Sequence, residues 1–252
     1  MVYNSVDTVA ASIQSVLSQD YPNIEYIIVD GQSTDGTLDI IREYTHKIDI
    51  VISEKDQGLY DALNKGISLA TGDVVGIIHS DDIFDSSQSI SQIATTFKQK
   101  EVDCVYGDLV YVDRNNTDRV VRNWKSGEFQ RKKLLRGWMP PHPTFYVKQS
   151  CINQHGLYDT SFTCSADYEL MLRYLSNDQL KVDYLQQTLV RMRVGGVSNC
   201  SWKSRWQANK EDLLAWKKNG LSPPPFLRWM KPLRKVGQFP WKDISYHLTM
   251  HL

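Results

Sequence analysis

Strand-like and helix-like runs alternate through the first half of the chain, and no other feature of the sequence restricts the fold as much. The runs EYIIVD (25–30), DIVIS (49–53), VVGII (74–78) and DCVYG (103–107) are short, apolar and bounded by turn residues. Helical patterns separate them. Val9, Ile13, Val16 and Leu17 recur at helical spacing after Asp7, and Leu38, Ile41 and Tyr44 do so after GQSTDGT. LYDALNKGISLA (59–70) and the stretch 87–100 supply two more. Strands joined by helices of about ten residues predict an α/β fold, with a mostly parallel central sheet flanked by helices on both faces.

In such a sheet ligands bind at the carboxyl ends of the strands. Each strand-like run here ends in acid: Asp30, then Glu54 and Asp56, then Asp81 and Asp82 in HSDD. Helix capping explains Asp35 and Asp85 as well as any functional role does. It does not explain adjacent carboxylates, which repel by roughly 4 kcal/mol at 4 Å and an effective dielectric of 20, and therefore favour a nearby cation. Mg²⁺ or Mn²⁺ takes one or two carboxylates and completes its shell with water and substrate phosphates. The sequence contains neither G-x-x-x-x-G-K-[ST] nor a G-x-G-x-x-G after a strand, so a diphosphate has no glycine-rich cradle and would depend on the metal.

Composition narrows the partners. The 29 basic and 29 acidic residues cancel over the chain, yet ten of the basic ones and only two acids lie in residues 202–242, leaving 19 basic and 27 acidic elsewhere. Five of the seven tryptophans share that stretch. A basic, tryptophan-rich, helical tail either packs on the body or docks on an anionic membrane surface, with FLRWMKPLRKVGQF (226–239) as the interfacial segment. An acidic body argues against nucleic acid. Absence of a long apolar run or a signal-peptide pattern predicts a cytoplasmic chain, peripheral at the inner face of the plasma membrane if the tail docks. Cys104, Cys151, Cys164 and Cys200 are scattered, which predicts reduced thiols rather than disulfides or zinc.

The residues IEYIIVDGQSTDGTLDII, ISEKDQGLYDALNKGISLATGD, HSDD, MPPHPTFYVK, GLYDTSF, SADYELMLR and RVGGVSN, in that order over about 200 positions, resemble the family-2 inverting glycosyltransferases of GT-A fold, bacterial surface-polysaccharide type. The resemblance implies a GT-A domain over 1–200, with a nucleotide-sugar half (1–113) and an acceptor half (114–200), followed by the tail (201–252). It implies transfer from a nucleotide-diphospho-sugar, a UDP-sugar first, to a saccharide or polyprenyl-diphosphate-linked acceptor. By the same resemblance Asp82 is the metal ligand, and Asp81 contacts the ribose or metal shell. Tyr3, Asn4, Asp30, Asp61 and Asn64 would bind the nucleotide-sugar, Asp167 would be the general base, and Glu169 stands beside it as the alternative base. Asp167 also reads as a helix-capping residue, His142 as a loop histidine or an acceptor or diphosphate contact, and Arg191 and Arg193 as phosphate contacts or strand-edge charges.

Three departures from the family pattern stand out. The family's first strand precedes its Tyr-Asn pair, and here only MVYN does so; Gly31 replaces a second acid; Leu63 replaces an arginine. The first of these keeps open a transferase that binds nucleotide-sugar or a partner without turnover.

Overall fold

The computed structural model describes residues 1–195 and 202–225, and for 202–205 the backbone alone. Helix α1 (Val9–Leu17) leads to β1 (Ile27–Asp30), α2 (Thr37–Glu43), β2 (Ile50–Ser53) and α3 (Leu59–Leu69). The spacing that predicts these helices is the spacing they bury: Val9, Ile13 and Val16 on α1, Tyr60, Leu63 and Ile67 on α3. Strands β1 and β2 pair in parallel, Ile27 beside Ile50 through Asp30 beside Ser53. Val2, Val9, Ile13, Ile28, Ile41 and Ile48 form the core beneath them.

A second, six-stranded sheet follows the order β3-β7-β5-β8-β4, with β6 also on β5. Its members are β3 (Val74–Val75), β4 (Asp82–Phe84), β5 (Cys104–Val112), β6 (Val120–Trp124), β7 (Tyr146–Lys148) and β8 (Val182–Arg193). Helices α4 (Ser89–Gln99), α5 (Gln149–His155), α6 (Ala166–Ser176) and α7 (Trp202–Lys218) complete the order.

The mostly parallel sheet expected from the strand-helix alternation is corrected here: among the described strands only β1/β2 and β5/β8 run parallel, while β3/β7, β5/β7, β5/β6 and β4/β8 are antiparallel. Alternation ends at β5: no α-helix separates β5 from β6 or β6 from β7, and both β6 and β7 lie antiparallel to β5, whereas α5 and α6 precede β8, which runs parallel to it. The run 74–78 also contributes less strand than its composition suggests. Only Val74 and Val75 pair, and the chain then crosses Tyr146 so closely that a Cβ on Gly76 would lie 2.0 Å from that ring. Because β5 pairs with β6 on one edge and β8 on the other, the two halves divided at residue 113 share one sheet.

Helix α7 docks on α6. Glu211 accepts hydrogen bonds from the backbone N–H groups of Thr163, Cys164 and Ser165 at 2.8–3.1 Å, and the Trp216 indole donates to the Tyr168 hydroxyl at 2.8 Å. This part of the basic tail is therefore packed on the body through residue 216, whereas Trp206 stays exposed under the Lys210 ammonium. The segment 226–239 lies outside the described residues. No described helix is long and apolar enough to cross a membrane. Cys104, Cys151 and Cys164 are free thiols.

Candidate active site

Four separate segments meet around HSDD. From the amino-terminal loop, the Ser5 hydroxyl lies 2.7 Å from that of Ser80, and the Ser12 hydroxyl on α1 donates to the His79 carbonyl at 3.0 Å. From the β8 end, Arg193 donates to the Asp81 carbonyl at 2.6 Å and to that of Arg114 at 3.2 Å. From the proline-rich loop, the His142 ring faces His79 at 5.8 Å. A tight turn, Asp82 N–H to His79 C=O at 3.1 Å, then delivers Asp82 as the first residue of β4. The paired acids thus stand where an antiparallel strand begins, not where a parallel one ends, because β4 is held by β8 with Asp82 opposite Met192.

Asp82 is the anomaly of the site. It is fully buried, and neither carboxylate oxygen has a hydrogen-bond partner. Burial, then the charge of Asp81, pushes its carboxyl well above the usual carboxylate range, with the Arg193 guanidinium opposing. A buried acceptor pair without a donor is expensive, and a cation is the simplest group that would satisfy it. Among the described residues no cluster of three or more ligating side chains surrounds it. Asp82, with Asp81 beside it, would suit a hard divalent ion whose remaining ligands were water and substrate oxygens.

Asp167 is reached from HSDD through aromatic side chains. His142 Nε2 lies 2.6 Å from the Tyr158 hydroxyl, and Tyr158 stacks on Tyr60 with ring centroids 5.7 Å apart. The Tyr60 hydroxyl donates to Asp167 Oδ1 at 3.3 Å, which also receives the Tyr168 N–H at 2.8 Å. Asp167 sits in the first turn of α6, behind Ser165, and its charge reaches both tyrosines and His142. Burial pushes the Tyr60 hydroxyl up, and the adjacent Asp167 adds to that. Burial lowers His142, and it lowers His79 to about 3, so both rings are neutral at pH 7.

The remaining sequence candidates divide into one that is exposed and several that tie loops and elements together. Tyr3 is exposed, over Gly31, where a Cβ would lie 2.5 Å from Asp56 Oδ2 and 3.3 Å from the Tyr3 ring. Asn4 receives the Thr34 N–H at 2.9 Å and donates its own N–H to Ser33 at 2.8 Å. Asp30 is buried and accepts from the Ser33 N–H and hydroxyl and from the Ser53 hydroxyl at 2.7 Å, so it clasps the loop to β2. Asp61 accepts the Gln57 N–H at 3.0 Å and pairs with Lys65. Asn64 spends both ends of its amide on the Tyr158 backbone, at 2.9 and 3.0 Å. Glu169 is buried, its oxygens taken by an ion pair with Arg173 and by the Asn219 amide. Arg191 pairs with Asp85 at 2.8 Å, while Arg193 alone of the two reaches HSDD.

His79, Tyr60 and Tyr158 were not singled out by sequence reasoning. Tyr60 and Tyr158 each stand one residue before an acid, in LYD and GLYD, but nothing in spacing tells that Tyr60 meets a residue 107 positions away.

The chain is similar in sequence and in fold to known glycosyltransferases. The model described as "Glycosyl transferase family 2" matches residues 1–162. A "PGL/p-HBAD biosynthesis glycosyltransferase" of Mycobacterium bovis is 28% identical over 201 residues, covering 78% of this chain and 76% of the relative. An "Uncharacterized glycosyltransferase" of Mycobacterium tuberculosis is 32% identical over 176 residues, covering 68% and 65%. Among solved structures, S. aureus TarS 1-349 in complex with UDP-GlcNAc aligns with a TM-score of 0.65 at 15% identity, over 97% of this chain and 73% of that one. The mannosyltransferase PcManGT from Pyrobaculum calidifontis, in complex with GDP-Man and Mn2+, aligns at 0.63 and 16%, over 98% and 76%. At those identities the two structures speak to the fold alone.

Proposed function

The chain belongs to glycosyl transferase family 2, and from that premise we propose that it is a metal-dependent inverting transferase. It moves a sugar from a nucleotide-diphospho-sugar, a UDP-sugar first among the candidates, to a hydroxyl of a saccharide or lipid-linked acceptor in bacterial surface-polysaccharide assembly. The observation that carries this reading is the buried, unpartnered Asp82 carboxylate beside Asp81 and Arg193. The mannosyltransferase with GDP-Man and Mn2+ and the TarS complex with UDP-GlcNAc support a nucleotide-sugar donor and a divalent ion for the same fold.

In this reading Asp82 holds Mg²⁺ or Mn²⁺, Asp81 stands on the ribose or metal-shell side, and Tyr3 and Asn4 lie at the nucleoside end. The ion, when bound, stabilises charge on the departing diphosphate. Asp167 accepts the proton of the acceptor hydroxyl as that oxygen bonds to the anomeric carbon; the carbon–oxygen bond to the diphosphate breaks, and its electron pair leaves with the diphosphate. The Tyr60 hydroxyl, already donating to Asp167, keeps the carboxylate oriented for that step. Arg193 fixes the HSDD turn through the Asp81 carbonyl.

The test separates the two acids. Asp82→Asn is expected to abolish the Mn²⁺-dependent thermal shift given by a UDP-sugar, and Asp167→Asn to keep that shift while transfer falls at least about 100-fold. Wild-type turnover by Asp167→Asn would sink the base assignment.

A further inference from the structure

The connection between α5 and α6, residues 156–165, carries the chain to Asp167, and side chains of three helices hold its backbone. From α6, the Tyr174 hydroxyl donates to the Gly156 carbonyl at 2.6 Å and Arg173 to that of Leu157 at 2.8 Å. From α7, Glu211 takes the N–H groups of Thr163, Cys164 and Ser165. From α3, Asn64 donates to the Tyr158 carbonyl at 2.9 Å and accepts the Tyr158 N–H at 3.0 Å. Pairing with both the N–H and the C=O of one residue fixes its orientation as well as its place, as a hydrogen-bonded pair does in an antiparallel ladder.

Tyr158, so fixed, joins the two ends of the candidate site. Its hydroxyl lies 2.6 Å from His142 Nε2, whose ring faces His79 of HSDD, and its own ring stacks on Tyr60. Tyr60 stands at i−4 from Asn64, on the same face of α3, and donates to Asp167. One helix face thus grips both the backbone of the connection and the acid that the connection delivers. Given Asp167 as the base of the reaction proposed above, we propose that Asn64 is a positioning residue of the transfer step: by clamping Tyr158 it holds Asp167 in register with HSDD, and it is not a ligand of the nucleotide-sugar. Both ends of its amide are engaged, and turning them toward a donor sugar would strand the N–H and C=O of a buried residue. No other side chain of this size both donates and accepts here. Aspartate keeps the shape and one acceptor but sets a carboxylate oxygen against the Tyr158 carbonyl. Misplacing a base by about 1 Å costs on the order of 100-fold in rate, so the clamp matters to turnover even though it touches no substrate.

The experiment uses the full chain, Asn64→Asp, Asp167→Asn and the double variant. Donor binding is read as the Mn²⁺-dependent thermal shift with UDP-GlcNAc or GDP-Man. Turnover is read as nucleoside diphosphate released when water replaces the acceptor hydroxyl, its oxygen bonding to the anomeric carbon and its proton passing to Asp167. Hydrogen exchange is followed across residues 156–168. Asn64→Asp is expected to lower kcat about 10- to 100-fold, to leave the donor KM and thermal shift within about twofold, and to speed exchange at Tyr158 about 10-fold. In the Asp167→Asn background it is expected to remove nothing further, because it acts through that acid. A lost thermal shift, or a raised KM with kcat kept, would make Asn64 a donor ligand and overturn the inference. Unchanged exchange across 156–168 would overturn it before any turnover is measured, and so would a full additional loss on top of Asp167→Asn. If Asn64→Asp does not fold, Asn64→Gln, which moves both ends of the amide together, carries the same readouts. Full turnover by Asp167→Asn is a separate outcome: it sinks the base reading, while the shift and the exchange still decide between a clamp and a donor ligand.

Discussion

Asp82 combines complete burial with two unpartnered oxygens, and this makes it a residue whose removal should help the metal-free protein. Asparagine keeps the shape and loses the charge, so Asp82→Asn is expected to raise the apo melting temperature by a few degrees, about 1–2 kcal/mol, while cancelling any rise on adding Mn²⁺. A lower apo melting temperature would mean the carboxyl makes a contact that asparagine cannot. The doublet Asp81-Asp82 was legible from the sequence because charge repulsion needs only adjacency. Its surroundings were not. Arg193 and His142 arrive from 112 and 63 positions beyond Asp81 and His79, and no local pattern reports such distances. Gly31 illustrates the same limit: the family resemblance marks an acid replaced by glycine, whereas the structure shows the space of one Cβ taken up by Asp56 and Tyr3.

At the level of elements, α7 fixes where Asp167 stands. Glu211 satisfies three backbone N–H groups just ahead of α6, which a helix end would otherwise leave without acceptors. Glu211→Ala is therefore expected to cost about 3 kcal/mol in urea denaturation. It should also reduce transfer more than Mn²⁺-dependent donor binding, since the donor side contacts none of this. Donor binding lost in step with transfer would show that α7 supports the whole site. Helices α1 to α4 were readable because their apolar residues repeat on one face. The sheet's directions were not, because an apolar run of two to five residues, such as 74–78, carries no information about which neighbour it will pair with.

The whole molecule should respond to acid through His79 and His142, both half-buried. Burial holds His79 down to about 3 and lowers His142, whereas in the unfolded chain both take protons near pH 6.5. Below that value the unfolded state binds more protons, so stability is present above about 6.5 and is lost as pH falls. Asp82 works in the opposite sense: its raised carboxyl keeps in the fold a proton that the unfolded chain releases above about 4, a contribution lost as pH rises. In the Asp82→Asn background, which removes that opposing titration, the melting temperature is expected to drop by roughly 5 °C or more between pH 7 and pH 5. A flat profile would show that both rings take up protons in the fold as readily as in the unfolded chain. The parallel pairing of β5 with β8 bears on how the molecule is made. Cys104 lies opposite Val182, 78 residues on, so the central strand has no partner on that edge until most of the chain has left the ribosome. Late closure of this kind slows folding and leaves β5 exposed meanwhile, which makes synthesis rate and chaperone supply, rather than equilibrium stability, the determinants of yield.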